Sequence, residues 1–269
     1  MLYLCPKIKN TMVIVNLNRK GGVGKTTNTI HIASVLATMG NNVLLIDADS
    51  QCDLSGGCNI RNEKLDESFN IVDFLEGNPK GKPEDLTNVE EGLYLLAGSK
   101  EFDAPKYKRN SLQKALKPLK EAFDYIFIDV PPAGILSTSI TPAELALFAS
   151  DFYMCTMYAD YFSSKNLNEF LESVDNLKER NNLSLEFIGA YFSNVNPQTT
   201  MYRNLNELMS SQAEEVFFKT FVRRSESVVK ASWEGKTIFQ YDPNCNVAKD
   251  YENLTKEMLD RINEININK

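Results

Sequence analysis

Lys20-Gly21-Gly22-Val23-Gly24-Lys25-Thr26-Thr27 follows closely on the apolar run Met12 to Leu17 (MVIVNL) and leads into a segment with helical periodicity. Glycines lack a Cβ, so this backbone can curl until successive N–H groups face one anion. A helix beginning near Lys25 adds the positive end of its dipole at the same spot. Strand, glycine-rich turn and helix in that order predict a phosphate cradle. Lys25 is expected to reach the β- and γ-phosphates of a bound ATP, and the Thr26 hydroxyl to ligate Mg²⁺. Thr27 is placed to hold the α-phosphate, and the backbone of Gly21, Gly22, Val23 and Gly24 completes the cofactor-binding set. The usual P-loop pattern has glycine where Arg19 stands, and here a second lysine, Lys20, opens the loop.

Two acidic signals accompany the loop. Asp47-Ala48-Asp49-Ser50-Gln51 closes a second apolar run, Val43 to Asp47 (VLLID). In a doubly wound sheet that strand end is where ligands bind. A carboxylate there can orient the water that attacks a γ-phosphate; the plainer alternative is an aspartate that caps the next turn, which suits one of the pair better than both. Asp129-Val130-Pro131-Pro132 closes the run YIFID, and an acid after four apolar residues is the arrangement that contacts Mg²⁺ directly or through water. Thr26 and Asp129 are thus candidate metal-site residues and Lys25 a candidate catalytic one.

Outward from the loop, short apolar runs alternate with helix-period segments, the pattern of an α/β doubly wound, mostly parallel sheet flanked by helices on both faces. Further strands are expected at Leu93 to Ala97, Phe152 to Met157, Phe187 to Phe192 and Val216 to Val222. Helices are expected at Thr26 to Met39, with Gly40 as its stop, at Ser164 to Arg180 with Ser163 or Ser164 as cap, and at Val247 to Ile265. The last carries a stripe of Val247, Tyr251, Leu254, Met258 and Ile262, expected to pack on the sheet. Asn59 to Glu91 is polar with four turn signals and is expected to be a surface excursion. The expected organisation is a short, poorly ordered leader over 1–11 and a single P-loop domain over 12–269.

At 269 residues and 43% apolar composition, the chain can bury a sizeable core as one large domain. It has no apolar stretch of the ~18 residues that a membrane span needs. Its five cysteines are odd in number and lack CxxC spacing, which favours a reducing cytoplasm over a disulfide framework or zinc site. The net charge of −7 argues against nucleic-acid attraction by the whole surface and leaves local basic patches open.

The three motifs resemble the deviant Walker A, Walker A′ and Walker B of the ParA/MinD superfamily, and the likeness runs from Met12 to about Leu259. VNLNRKGGVGKTTNTIHIASVLATMGNNVLLIDADSQCDLS, DYIFIDVPPA and VRRSESVVKASWEGKTIFQYDP carry it, in the manner of ParA partition ATPases. The resemblance implies an ATP-dependent homodimer in which Lys20 reaches the partner's nucleotide, Asp49 positions the hydrolytic water and Asp129 is the Walker B acid. It thereby adds Lys20 and Asp49 to the candidate catalytic residues and Asp49 to the metal site. It also implies slow, partner-stimulated ATP hydrolysis in the bacterial cytoplasm, nonspecific DNA binding on the nucleoid and a ParB-like centromere-binding partner. Arg19 replaces a common glutamine, Ser50 a proline, and Val130 a threonine or cysteine; none of these removes a catalytic group. The DNA contacts expected are Arg223, Arg224 and Lys230, with the stretch Lys106 to Lys120 as a second candidate. A MinD-like role at the membrane surface or on a protein scaffold is the rival and ranks second, because the tail MLDRINEININK carries Asp260 and Glu264 and few bases and so makes a poor membrane anchor.

Overall fold

The structure is a computed structural model. It describes residues 11–60, 65, 67–77, 85–132, 134–135, 139–159, 161–200, 202–204, 207 and 215–268, and for 161–166 the backbone alone. The expected leader, apart from Thr11, lies outside the described residues.

Seven strands form one sheet in the order β3-β4-β2-β5-β1-β6-β7. They are β1 (Met12–Leu17), β2 (Val43–Asp47), β3 (Thr87–Glu90), β4 (Leu93–Leu96), β5 (Tyr125–Asp129), β6 (Phe152–Met157) and β7 (Glu186–Phe192). All neighbours pair in parallel except β3, which runs antiparallel to β4 at the edge. The central strands are apolar on both faces because helices cover both, as buried parallel strands require. In β1 the side chains alternate between two cores, Val13, Val15 and Leu17 in one and Met12 and Ile14 in the other.

One face is covered by α1 (Lys25–Thr38) and by a long C-terminal helix. Between them in sequence come α2 (Asp53–Gly57), α3 (Ile71–Glu76), α4 (Ser111–Ala115), α5 (Pro142–Ala149), α6 (Tyr161–Asn181), α7 (Glu226–Trp233) and α8 (Ile238–Tyr241). The C-terminal helix is α9 (Asn246–Ile267). Its stripe of Val247, Tyr251, Leu254, Met258 and Ile262 is buried, as its spacing predicts. α4, α5 and α6 contribute Leu112, Leu145, Phe170 and Val174 to the opposite core. No helix of the described residues is long and apolar enough to cross a membrane.

Three expectations are corrected. Asn59 to Glu91 is more than a surface excursion: it supplies α3, β3 and the buried Ile60, Phe69, Ile71, Phe74 and Leu86. Asn70 starts α3 by accepting from the N–H groups of Val72 and Asp73 at 3.0 and 3.2 Å. Val216 to Val222 forms no continuous strand; it meets the β7 side of the sheet through the bridge Ala190–Phe217 and the Val222 N–H to Phe192 O hydrogen bond at 2.9 Å, with a second bridge, Val195–Arg223, just beyond it. α6 begins at Tyr161, so Ser163 and Ser164 lie inside its first turn and do not cap it.

Candidate active site

The carboxyl ends of β1, β2 and β5 lie side by side, and Asp47 of β2 is in register with Asp129 of β5. Chain topology thus gathers the glycine-rich loop and both acidic motifs at one sheet edge, where ligands of open α/β sheets bind. Gly24 adopts φ 93°, a left-handed conformation that a side chain resists, and α1 starts immediately after it. A Cβ at Gly24 would also come within 3.2 Å of Ser193 Oγ.

Lys25 is buried, and loss of water lowers its pKa, while the nearby Asp129 and Asp49 act in the opposite sense. The Thr26 hydroxyl donates to Asp129 Oδ2 at 2.7 Å. Burial pushes Asp129 up to about 8; Asp47 adds to that rise, and the Thr26 bond and Lys25 oppose it. Asp129 Oδ1 is buried without a hydrogen-bond partner. A hard cation takes oxygen ligands, and Mg²⁺ favours one or two protein oxygens beside phosphates and waters over a full protein cage. An orphaned carboxylate oxygen next to a threonine hydroxyl fits that demand. No cluster of three His, Cys, Asp or Glu able to hold a metal alone occurs among the described residues.

The two aspartates of the second motif separate into distinct roles. Asp47 Oδ2 accepts from the Ser55 N–H at 2.8 Å and the Ser55 hydroxyl at 2.6 Å. Asp47 Oδ1 accepts from Asp49 N–H at 3.2 Å, so this carboxylate shapes the turn. Asp49 instead borders a cavity of about 610 Å³ together with Lys25, Thr26, Thr27, Pro132 and Ser232. Burial raises its pKa, opposed by the bond from Gln51 N–H to Asp49 Oδ1 at 2.9 Å. A carboxylate in this position can accept a proton from a water at the end of the phosphate chain.

Lys20 lies on the exposed shoulder of the loop, its Nζ 5.6 Å from the Tyr158 ring centroid. Its N–H donates to Asn18 Oδ1 at 2.8 Å, and Asn18 Nδ2 donates to Thr156 O at 2.5 Å. Tyr158 in turn donates its hydroxyl to Gly22 O at 2.7 Å. Asn18 and Tyr158 therefore tether the phosphate loop to β6, a role that no sequence motif announced. Gly21 faces Pro132, whose Cγ would be 3.5 Å from a Cβ there.

A second cleft, of about 380 Å³, opens on the other side of the loop and shares Gly22, Gly24 and Thr27 with the first. Asn194, Arg224, Val228 and Val229 border it. The three basic candidates differ in setting. Arg223 forms a bidentate pair with the buried Asp250, Nε to Oδ2 at 2.6 Å and Nη2 to Oδ1 at 2.7 Å. Arg224 is exposed, and Lys230 is exposed with its Nζ 4.0 Å from Glu226. In the second basic stretch Lys106, Arg109 and Lys120 each lie within 3.9 Å of an acid.

A family profile described as an AAA domain matches residues 11–187. The chain is similar to the sporulation initiation inhibitor protein Soj of Bacillus subtilis (strain 168), at 30% identity over 91% of this chain and 97% of that protein. In structure it is similar to a plasmid partition protein from Borrelia burgdorferi, with a TM-score of 0.73, 25% identity and coverage of 94% of this chain and all of that one. It also shares its fold with the septum site-determining protein MinD from Pyrococcus horikoshii OT3 complexed with Mg-ADP. There the TM-score is 0.72 at 22% identity, covering 92% of this chain and 95% of the other.

Proposed function

We propose, from the premise that this chain belongs to the ParA family of P-loop ATPases, that it is an ATP-gated switch. It hydrolyses ATP with Mg²⁺, dimerises on ATP, binds DNA without sequence preference and positions a plasmid, chromosome or other cargo with a ParB-like partner. It works in the bacterial cytoplasm on the nucleoid. The observation that carries the reading is the Thr26–Asp129 hydrogen bond beside the buried Lys25, with Lys25, Thr26 and Asp49 bordering one cavity.

In this reading the loop amides and Lys25 hold the phosphates, and Thr26 with Asp129 holds the metal. Mg²⁺ held by these two residues would supply positive charge beside the β- and γ-phosphates. Asp49 orients the attacking water. The adenosine follows Thr27 into the second cleft, between Asn194 and Val228. Lys20 extends from the shoulder of the loop to the nucleotide of a second subunit. Dimerisation aligns Arg224 and Lys230 with their counterparts into a track for the phosphate backbone, while Arg223 holds the segment before α7 onto α9 through Asp250. The membrane alternative has less support, because the apolar stripe of α9 is already committed to the core.

Two variants test the reading. Lys20→Ala should keep nucleotide affinity and lose the ATP dimer, read by light scattering; an unchanged dimer contradicts the shared-nucleotide arrangement. Asp49→Ala should keep the dimer and lower turnover by a factor of 100 or more, the scale of a positioned general base. Wild-type turnover in that variant would remove Asp49 from the mechanism.

A further inference from the structure

Four large apolar residues stand exposed among the described residues: Met39, Val229, Trp233 and Ile267. Two of them share one short helix. Val229 is 56% and Trp233 84% exposed, and they lie one turn apart on α7. The opposite side of that helix is anchored, with Ala231 buried and Val228 packed against the core below α1 and α9. α7 is also the lip between the two clefts: Ser232 borders the phosphate cavity, while Val228 and Val229 border the second cleft. Trp233 follows Ser232 at the C-terminal end of α7, 84% exposed and bordering neither of these two clefts. A monomer gains nothing by holding an indole in water, and clustered apolar exposure of this kind marks a contact surface. Tryptophan is also the residue most enriched among the few that dominate binding energy at interfaces.

We propose that Val229 and Trp233 are the apolar anchor through which α7 meets a second copy of this chain when the two close over nucleotide. The inference rests on the ATP-gated dimer proposed above and adds the surface that holds it. Two observations select a second copy as the occupant. The patch is continuous with the nucleotide clefts, over which the two copies would face each other. Its border is charge-balanced, with Glu226 4.0 Å from Lys230 and Glu234 2.7 Å from Lys236. In a two-fold contact a patch meets itself in reverse, so an acid of one copy can meet a base of the other. A DNA duplex presents phosphates and groove edges, and offers no apolar face to cover an indole and a valine. Lys230 projects from the neighbouring face of the helix, about 100° round from Val229, and stays open at the edge of the contact.

Trp233 is the chain's sole tryptophan, so its emission reports this contact directly. The experiment follows tryptophan emission and light scattering together on the full chain, over a protein concentration series. The conditions are Mg-ATP, Mg-ADP and no nucleotide, each with and without a DNA duplex. The inference predicts a shift to shorter wavelength with Mg-ATP alone, tracking dimer mass and needing no DNA. A dimer whose tryptophan emission stays that of an exposed indole overturns the inference and leaves the dimer standing. No dimer with Mg-ATP overturns both. A shift that is independent of protein concentration and also appears with Mg-ADP assigns the indole to the nucleotide, and a shift that needs DNA assigns it to DNA; either overturns the inference. Trp233→Ser should weaken the dimer about 30-fold or more, the scale of an interface hot spot. Mg-ADP affinity and the thermal midpoint of the monomer should stay unchanged; an undiminished dimer in this variant contradicts the anchor.

Discussion

His31 is fully buried on α1, accepts at Nδ1 from the Ile238 N–H at 3.3 Å, and leaves Nε2 without a partner. Burial lowers its pKa from the ordinary value of about 6.5 to about 3. Below pH 6.5 the unfolded chain therefore takes up a proton that the folded chain refuses. The stability tied to the neutral imidazole is complete above that pH and is lost as pH falls towards 3. Between pH 7 and pH 5 the protein should lose roughly 2 kcal/mol more than a His31→Gln variant, read by urea unfolding at both values. Equal losses would show that another group sets the acid limit, although no other histidine exists to do so. Lys25 and Thr26 stand out in the sequence because they follow the glycines directly, and Asp129 because it closes the apolar run YIFID; the structure brings the three together. The residues alone leave open which of Asp47 and Asp49 forms the turn, and only the family resemblance favours Asp49 at the phosphate site; that Asp47 forms the turn rests on Ser55. Gly98 contributes too, since a Cβ there would lie 2.9 Å from the Asp47 carboxylate. Neither residue belongs to the motif.

The Arg223–Asp250 pair joins the segment before α7 to the first turns of α9. Asp250 is 6% exposed and also accepts from the Arg223 N–H at 3.1 Å, so removing either side chain strands polar atoms of the other. Asp250→Ala should cost on the order of 1–3 kcal/mol, measured as a lower urea midpoint. An unchanged midpoint would mean that solvent satisfies Arg223 equally well. The adjacent Tyr251 donates its hydroxyl to Asn28 Oδ1 at 2.9 Å, directly behind the phosphate loop. α9 therefore braces α1 from below, a contact the amphipathic stripe announced in kind but not in partner. The strand expected at Val216 to Val222 is not formed; turns at its start and a bend at Lys219 interrupt it. The segment pairs with β7 only in part, Ala190 N–H donating to Val216 O and Phe218 N–H to Ala190 O, each at 2.8 Å, while Arg261 binds the Glu215 and Phe217 carbonyls. α3 and β3 escaped notice because α3 is only six residues long and lies among turn signals, and β3 carries a single apolar residue, Val89.

For the molecule as a whole, alternation of apolar runs and helical segments was enough to read a doubly wound sheet, since helices on both faces force its central strands to be apolar throughout. The antiparallel edge strand β3 was beyond that logic, being half exposed and four residues long. The function proposed requires that nucleotide state, set at the loop, governs a surface formed by two subunits. Its electrostatics give a further expectation. Arg224→Ala should lower the salt dependence of DNA binding by about one released counterion per subunit. Arg223→Ala should leave that slope unchanged, because its charge faces Asp250. Equal slopes for the two variants would place the DNA track elsewhere, with the stretch Lys106 to Lys120 next in line.

The most direct measurement is binding to a random-sequence DNA duplex with Mg-ATP, with Mg-ADP and without nucleotide, each across a salt series. An ATP-gated DNA switch predicts tight binding with Mg-ATP only, weakening steeply as salt rises. Equal binding in all three states, or none in any, would contradict it.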